Sequence, residues 1–322
     1  MIAEDHPDWS IRVLDLLTYS GTKANLDGLG GHVTFIEGDI ADATVVDAAM
    51  NGCTVVVNFA AETHVDRSLI NSQPFLHTNV RGVQVLLDAA IRWEVDRFLQ
   101  VSTDEVYGSL PVEATRSVES DPLGPRSPYA SSKAVAEQLV LDAHDSHGLH
   151  TLITRGSNTY GPRQYPEKII PLFITNLLEG RTLPVYGDGS AVRDYLHVDD
   201  HCLGINRILE CGQPGSVFNL GAGLEMSAAR VAKTICDILG RADSVIEYVR
   251  DRPNHDMRYS VDSNAARSLG WKRTRTFDEG LQRTVQWYVE NSSWWKQIRQ
   301  SKDFKAWELA WYAKSGQSGL NG

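Results

Sequence analysis

The feature that most constrains the fold is the regular alternation of short apolar runs with helical patterns across the first half of the chain. Thr54–Ala61 (TVVVNFAA) is a nearly continuous apolar run, the signature of a strand buried on both faces. Ile11–Leu17, Val33–Ile36, Arg97–Ser102 and Thr151–Arg155 read as further strands, with helical patterns at Ala43–Met50, Pro74–Trp93 and Pro128–His147. Strands alternating with helices predict an α/β fold, a doubly wound parallel sheet with crossover helices. Beyond Gly156 the pattern loosens into Gly, Pro and short segments, until helices over Ser227–Leu239 and Leu281–Glu290. The expected division is a sheet domain over 1–155, a smaller ligand-binding region over 156–314 with some segments returning to the sheet, and a flexible tail over 315–322 (SGQSGLNG).

The net charge of −10 excludes nucleic acid as the main partner, because a phosphate backbone wants a basic face. A single nucleotide remains possible, since a few cations and a helix N-terminus hold one. Cys53, Cys202, Cys211 and Cys236 are scattered without a CxxC spacing, and read as reduced thiols. No apolar run approaches the ~20 residues of a membrane span, and the opening MIAEDH is not a signal peptide. A cytoplasmic location is expected.

The chemistry concentrates in two strings, VSTDEVYG (101–108) and YASSK (129–133). Tyr129 and Lys133 fall one helical turn apart on one face, where an ammonium favours the phenolate and lets it act as a base. Thr103, Asp104 and Glu105 fall just past the carboxyl end of a strand, where open parallel sheets bind ligands. Asp-Glu alone is a common surface pair; with Tyr129 and Lys133 in the same chain, the acid/base reading is the stronger. A redox-capable tyrosine beside two carboxylates points to a chain that moves a hydride and eliminates a group. His197-Val-Asp-Asp-His201 has a metal-like spacing, but it lacks the Glu of HExxH, and its aspartates read as a helix cap. No metal is expected.

These strings resemble the extended short-chain dehydrogenases/reductases, the NAD-dependent epimerase/dehydratase family, and within it the dTDP-glucose 4,6-dehydratases. The likeness runs from about Val13 to Trp295, through DLLTY (15–19), GDI (38–40), NFAAETHVDRS (58–68), STDEVYG (102–108), YASSK, SNTYGPRQYPEKIIP (157–171), LPVYGDG (183–189), VRDYLHVDDH (192–201), FNLG (218–221) and DRPNHD (251–256). It implies a Rossmann-like fold and NAD+ as cofactor. Asp15, Leu16, Leu17 and Thr18 would hold the adenosine ribose, and Asp39 and Ile40 would flank the adenine. Phe59, Ala60, Ala61, Glu62, Thr78 and Thr159 would line the cofactor path, together with Tyr129 and Lys133. Thr63 and Thr103 would lie by the sugar. Asn158, Lys168, Ile169, Pro184, Val185, Tyr186, Arg193, Asn219, Arg252 and His255 would hold the nucleotide diphosphate. A carboxylate after the second strand suits ribose hydroxyls, and guanidinium groups suit phosphate.

The mechanism implied is an internal redox elimination. Tyr129 deprotonates the sugar C4 hydroxyl, Glu105 removes the C5 proton, protonated Asp104 delivers a proton to the departing C6 hydroxyl, and Thr103 positions the substrate. Two carboxyls in opposite protonation states are required, which different environments can provide. In this family 4-epimerases typically lack the Asp-Glu pair, and decarboxylases usually carry Ser where Asp104 stands, so the pair favours the dehydratase. UDP-glucose stays open as the substrate, as do a nucleotide-sugar epimerase or decarboxylase and a cofactor-poor remnant acting as a binding partner. The pathway implied is deoxysugar synthesis, rhamnose included.

Two departures stand out. The family opens on a strand and a Gly-x-x-Gly-x-x-Gly turn at the NAD pyrophosphate. Met1–Trp9 (MIAEDHPDW) instead reads as the end of the following helix, which implies that one β-α unit, ~25–30 residues, is missing. Weak NAD binding is then expected. Thr159 replaces a usual Asn. The helices Pro74–Trp93 and Pro128–His147 are expected to form the four-helix homodimer interface of the family.

Overall fold

A computed structural model describes residues 1–251 and 256–315, with side chains described to residue 310. The first half runs α1 (Ile2–Asp5), β1 (Ile11–Asp15), β2 (Val33–Glu37), α2 (Ala43–Met50), β3 (Val55–Asn58), α3 (Val65–Ile70), α4 (Gln73–Leu76), a π-helical turn (His77–Gly82), α5 (Val83–Arg92), β4 (Arg97–Thr103), α6 (Pro128–His147) and β5 (Thr151–Gly156). The second half runs β6 (Asn158–Tyr160), α7 (Ile169–Leu178), β7 (Leu183–Tyr186), β8 (Val192–His197), α8 (Val198–Cys211), β9 (Ser216–Leu220), β10 (Glu225–Ser227), α9 (Ala228–Ile238), β11 (Ile246–Val249), α10 (Asn264–Ser268), α11 (Phe277–Glu290), α12 (Ser292–Gln300) and α13 (Lys302–Ser315).

β3, β4, β5 and β9 form a parallel sheet in the order β3-β4-β5-β9, so β9 joins the first half's strands. β1 and β2 pair in parallel with each other, and among the described residues no ladder joins them to β3. The sheet is covered on both faces, as the run of apolar strand residues requires. Phe98 and Ile153 enter one core with α2, α5 and α6, while their chain neighbours Leu99 and Leu152 enter another with α8 and α10. That is the two-residue alternation of a pleated strand. A third core packs α7, α9 and α11 around Tyr160, Leu183 and Tyr288.

The expected helix Pro74–Trp93 is interrupted by the π-helical turn, which carries the buried Asn79. Such single-turn bulges are frequent at functional sites. α6 starts on an N-cap, Ser127, whose hydroxyl accepts from the Ala130 amide, with Pro128 at the first position. It stops at Gly148, which adopts φ +71°. Tryptophans fill the C-terminal packing: Trp295 is 1 % exposed and donates its indole N–H to the Tyr288 carbonyl, and Trp307 packs on Phe304. The Trp311 side chain and the tail 316–322 lie outside the described residues. Among the described residues no helix is long and apolar enough to cross a membrane, and the four cysteines are free.

Candidate active site

β4 ends at Thr103, and the chain turns at once into a 3₁₀ turn over Asp104–Tyr107. The Thr103 hydroxyl caps it by accepting from the Glu105 amide at 3.3 Å. Gly108 closes the turn at φ +79°, and a Cβ there would fall 2.2 Å from the Gly124 carbonyl oxygen, so only glycine fits. Asp104 is 3 % exposed. Its Oδ1 lies 3.4 Å from the Thr103 hydroxyl, and its Oδ2 is buried without a partner. Burial pushes its carboxyl well above the usual range, reinforced by the charges of Glu105 and Asp194 and opposed by Arg193. This favours the protonated form of Asp104 beside a second carboxyl, the state that a proton donor to a leaving group would need.

α6 brings Tyr129 and Lys133 to this turn, both buried. The Thr103 hydroxyl bonds to the Tyr129 phenol. The direct effect of the ammonium expected from the Tyr-x-x-x-Lys spacing is not what the protein's own groups produce. Burial first, then the charges of Glu105 and Asp104, push Tyr129 up. The Lys133 ammonium donates to the Val101 carbonyl at 2.7 Å, and burial lowers it to about 8. In a dry pocket facing two carboxyls, desolvation outweighs the neighbouring cation.

A profile of the GDP-mannose 4,6 dehydratase family matches residues 3–284. The chain belongs to that family. It is 49 % identical over 290 residues to a dTDP-glucose 4,6-dehydratase of Streptomyces antibioticus, covering 90 % of this chain and 86 % of the relative. It is 46 % identical to the low-salt glycan biosynthesis protein Agl12 of Haloferax volcanii, covering 88 % and 92 %. The crystal structure of DesIV, a dTDP-glucose 4,6-dehydratase of Streptomyces venezuelae with NAD bound, superposes with a TM-score of 0.89 at 45 % identity, covering 92 % of this chain and 94 % of that one.

The residues expected to line the cofactor path mostly follow the carboxyl ends of β1, β2 and β3 in the chain. Asp15 Oδ1 accepts from the Leu17 amide at 2.6 Å, and Leu17 adopts φ +52°. Thr18 sits in the same turn, its carbonyl accepting from Gly21. Leu16 and Phe59 leave large apolar side chains exposed, 46 % and 54 %, while Ala60 and Ala61 are half-buried beside Phe59. Asp39 accepts from the Ala41 amide and from His77 at 2.8 and 2.7 Å. Burial alone would raise that carboxyl, and these two partners hold it below its usual value. Ile40 packs into the core rather than standing in the crevice. Burial raises Glu62, opposed by Arg67. Thr78 lies half-buried on the π-helical turn.

On the substrate side, the Lys168 ammonium donates to the Thr63 carbonyl at 3.2 Å, which brings two of the expected residues together, and Ile169 begins the helix that Lys168 caps. Tyr186 donates to Asp66 at 3.1 Å, and Asn158 stands half-buried at the start of β6. Arg193 lies over the Tyr259 ring at 4.6 Å. Four expectations change. Val185 is 1 % exposed in the third core, so its side chain faces away from any ligand; its neighbour Pro184 is also buried. Asn219 is fully buried, with Oδ1 on Tyr107 and Nδ2 on Ser117, so it braces the Asp104–Tyr107 turn. Thr159 directs its hydroxyl to His201 at 2.7 Å. The cap of α8 is His197, not its aspartates; Asp200 instead binds the Thr274 and Arg275 amides. Arg252 and His255 lie outside the described residues.

Sequence reading missed Asn79, Glu137, Arg155 and the pair Arg67–Glu167, whose contact is 2.9 Å. Only Glu137 left a signal, four residues past Lys133. The others act between segments far apart in the chain.

Proposed function

We propose that this chain dehydrates dTDP-glucose to the 4-keto-6-deoxy sugar nucleotide, as a lyase that uses NAD+ and returns it unchanged. The observation that carries the reading is Asp104, buried, unpartnered at Oδ2 and pushed up by burial, directly beside Glu105. The residues fit the cofactor at its adenosine end, where Asp15 stands fixed and Leu16 and Phe59 offer apolar faces. Asp15 and Asp39 would hold the adenosine, and Tyr129 and Lys133 the nicotinamide ribose. NAD+, when bound, accepts the hydride from the sugar C4 and gives it back at C6.

The chain's own groups do the proton work. Burial and the two carboxyls raise Tyr129, so its action as a base needs the opposing positive charge that Lys133 and the bound nicotinamide would supply; as phenolate it takes the proton of the C4 hydroxyl, oriented by Thr103. The ketone at C4 acidifies the C5 proton, which Glu105 removes. Asp104 protonates the C6 hydroxyl, and water leaves as the C5–C6 double bond forms; as C6 is then reduced, Glu105 returns its proton to C5, giving the 4-keto-6-deoxy sugar. Lys168, Arg193 and Tyr186 would hold the nucleotide diphosphate. Mass spectrometry of the purified chain with dTDP-glucose and NAD+ tests the reading: a product lighter by one water is expected, and unchanged substrate overturns it.

We further propose a homodimer in the cytoplasm. Leu76 on α4 and Val135 on α6 stand exposed, apolar side chains on the helices that would form the four-helix contact, with Leu69 and Ile70 of the neighbouring α3 exposed as well. Sedimentation at several concentrations checks it; a monomer throughout is the contrary result.

A further inference from the structure

The face of α6 that carries Tyr129 and Lys133 continues one turn further to Glu137, whose side chain is 1 % exposed. Its carboxylate accepts from the Ser102 hydroxyl at 2.5 Å and from Arg155 Nε and Nη2 at 3.0 and 2.7 Å. Arg155, on β5, reaches on in the other direction. Its Nη1 donates to the Tyr107 hydroxyl at 2.7 Å and to the Glu119 carbonyl at 3.1 Å. The guanidinium also lies over the Tyr107 ring at 4.8 Å. Tyr107 in turn donates to Asn219 at 2.8 Å, and the Asn219 amide is held by the Glu119 carboxylate at 2.8 Å.

Ser102 and Tyr107 bracket the acid/base residues in sequence, one just before Thr103 and the other two residues after Glu105. Both ends of the reactive turn therefore hang from one buried ion pair. Apolar residues of similar volume often replace a buried pair without loss of stability. What such residues lack is a fork that binds a hydroxyl on each side in fixed directions.

We propose that Glu137 and Arg155 are positioning residues for the dehydration, fixing the Thr103–Asp104–Glu105 turn from both ends against Tyr129 and Lys133. The proposal rests on the dehydratase reading above. Glu137 has a second effect, on the ammonium one turn before it. Burial lowers Lys133 to about 8, and Glu137 is the charge that opposes this. On the same helix Tyr129 also faces this region; from the turn, Glu105 and Asp104 act on Tyr129; from β5, Arg155 sits behind Glu137. Removing the Glu137 charge moves Lys133 further down, so its charged form is lost at a lower pH.

The test compares Glu137→Gln, Arg155→Lys and Tyr107→Phe with the full chain. The expected result is a fall in kcat of up to about 100-fold, the size of a misplacement of ~1 Å, with KM for the nucleotide sugar nearly unchanged. In Glu137→Gln the alkaline limb of kcat moves to lower pH; in Tyr107→Phe it stays. NMR titration of the Lys133 ammonium reads the same shift without turnover. A wild-type chain that releases no water thus defeats the dehydratase reading, while the titration still decides the effect of Glu137. Tyr107→Phe removes one hydroxyl and carries the test of the turn if Glu137→Gln does not fold. A lower melting temperature at unchanged kcat, or an unmoved Lys133 titration, overturns the proposal.

Discussion

Asn79 grips both polar atoms of one peptide residue: its Oδ1 accepts from the Glu62 amide at 2.9 Å, and its Nδ2 donates to the Glu62 carbonyl at 3.0 Å. The same Nδ2 reaches the Ser132 hydroxyl at 2.9 Å, between Tyr129 and Lys133. One side chain on the π-helical turn thus ties the proposed cofactor wall to the catalytic helix.

Asn79→Ala leaves the Glu62 peptide and the Ser132 hydroxyl short of partners in a buried place. A loss of about 1–3 kcal/mol is expected for an unsatisfied buried group. Urea unfolding measures it, and a midpoint within error of the wild type contradicts it.

Asp104→Asn is expected to separate activity from stability. Dehydration falls by roughly 10²–10⁴, the usual share of a general acid, as read by loss of water from dTDP-glucose. The folded-state carboxyl is raised, so its contribution to stability is full below the ordinary aspartate value and is lost as pH rises through the raised one. Asparagine never ionises, so the variant melts higher than the wild type at neutral and alkaline pH, with the gap closing in acid. Equal melting curves at every pH are the opposing result.

His64 and His201 are both lowered to about 4 by burial, from an ordinary value of 6.5. A depressed histidine favours the fold above the unfolded value. That stability is lost as pH falls from 6.5 toward about 4, because only the unfolded chain takes the proton there. The denaturation midpoint should decline across this window, and less steeply in His201→Asn. A level wild-type profile between these limits rules the effect out.

Gly108→Ala meets two obstacles at once, the left-handed backbone and the Gly124 carbonyl. The strain is about 1–3 kcal/mol, and the turn bearing Asp104 and Glu105 must shift to relieve it. Both the melting temperature and kcat are expected to fall; a variant with wild-type values in both defeats this reading.

The strands and helices of the first half were legible because each carries its own periodicity. Val33–Ile36 and Thr151–Arg155 lie within observed strands, and Ala43–Met50 and Pro128–His147 are observed as expected. The break at His77–Gly82 was not legible: the residues HTNVRG keep a helical pattern, and the extra residue per turn arises from what Asn79 and Gly82 meet, Gly82 lying against Ile40. The candidate site stood out because Thr103–Glu105 and Tyr129–Lys133 are short strings with chemistry written into their spacing, and the fold brings the two together. The bracing did not, since Arg155 joins residues 48 positions apart, and nothing local marks Asn219 as turning inward. Val185 and Thr159 misled for a related reason: position in a motif does not say which way a side chain faces.

β1 and β2 hold to each other and reach the remaining molecule through side chains, Leu14 packing against the core that holds Val46 of α2, and among the described residues no strand-to-strand ladder joins them to β3. Cooperativity across that seam depends on packing and on a few side-chain bonds, such as Arg12 to the Ala49 carbonyl and His77 to Asp39. With fewer backbone bonds across it, the β1–β2 pair is expected to exchange its amides before the β3-β4-β5-β9 sheet does. Grip on the adenosine end and integrity of the proton-transfer end are then two quantities, and selection or mutation can change one without the other.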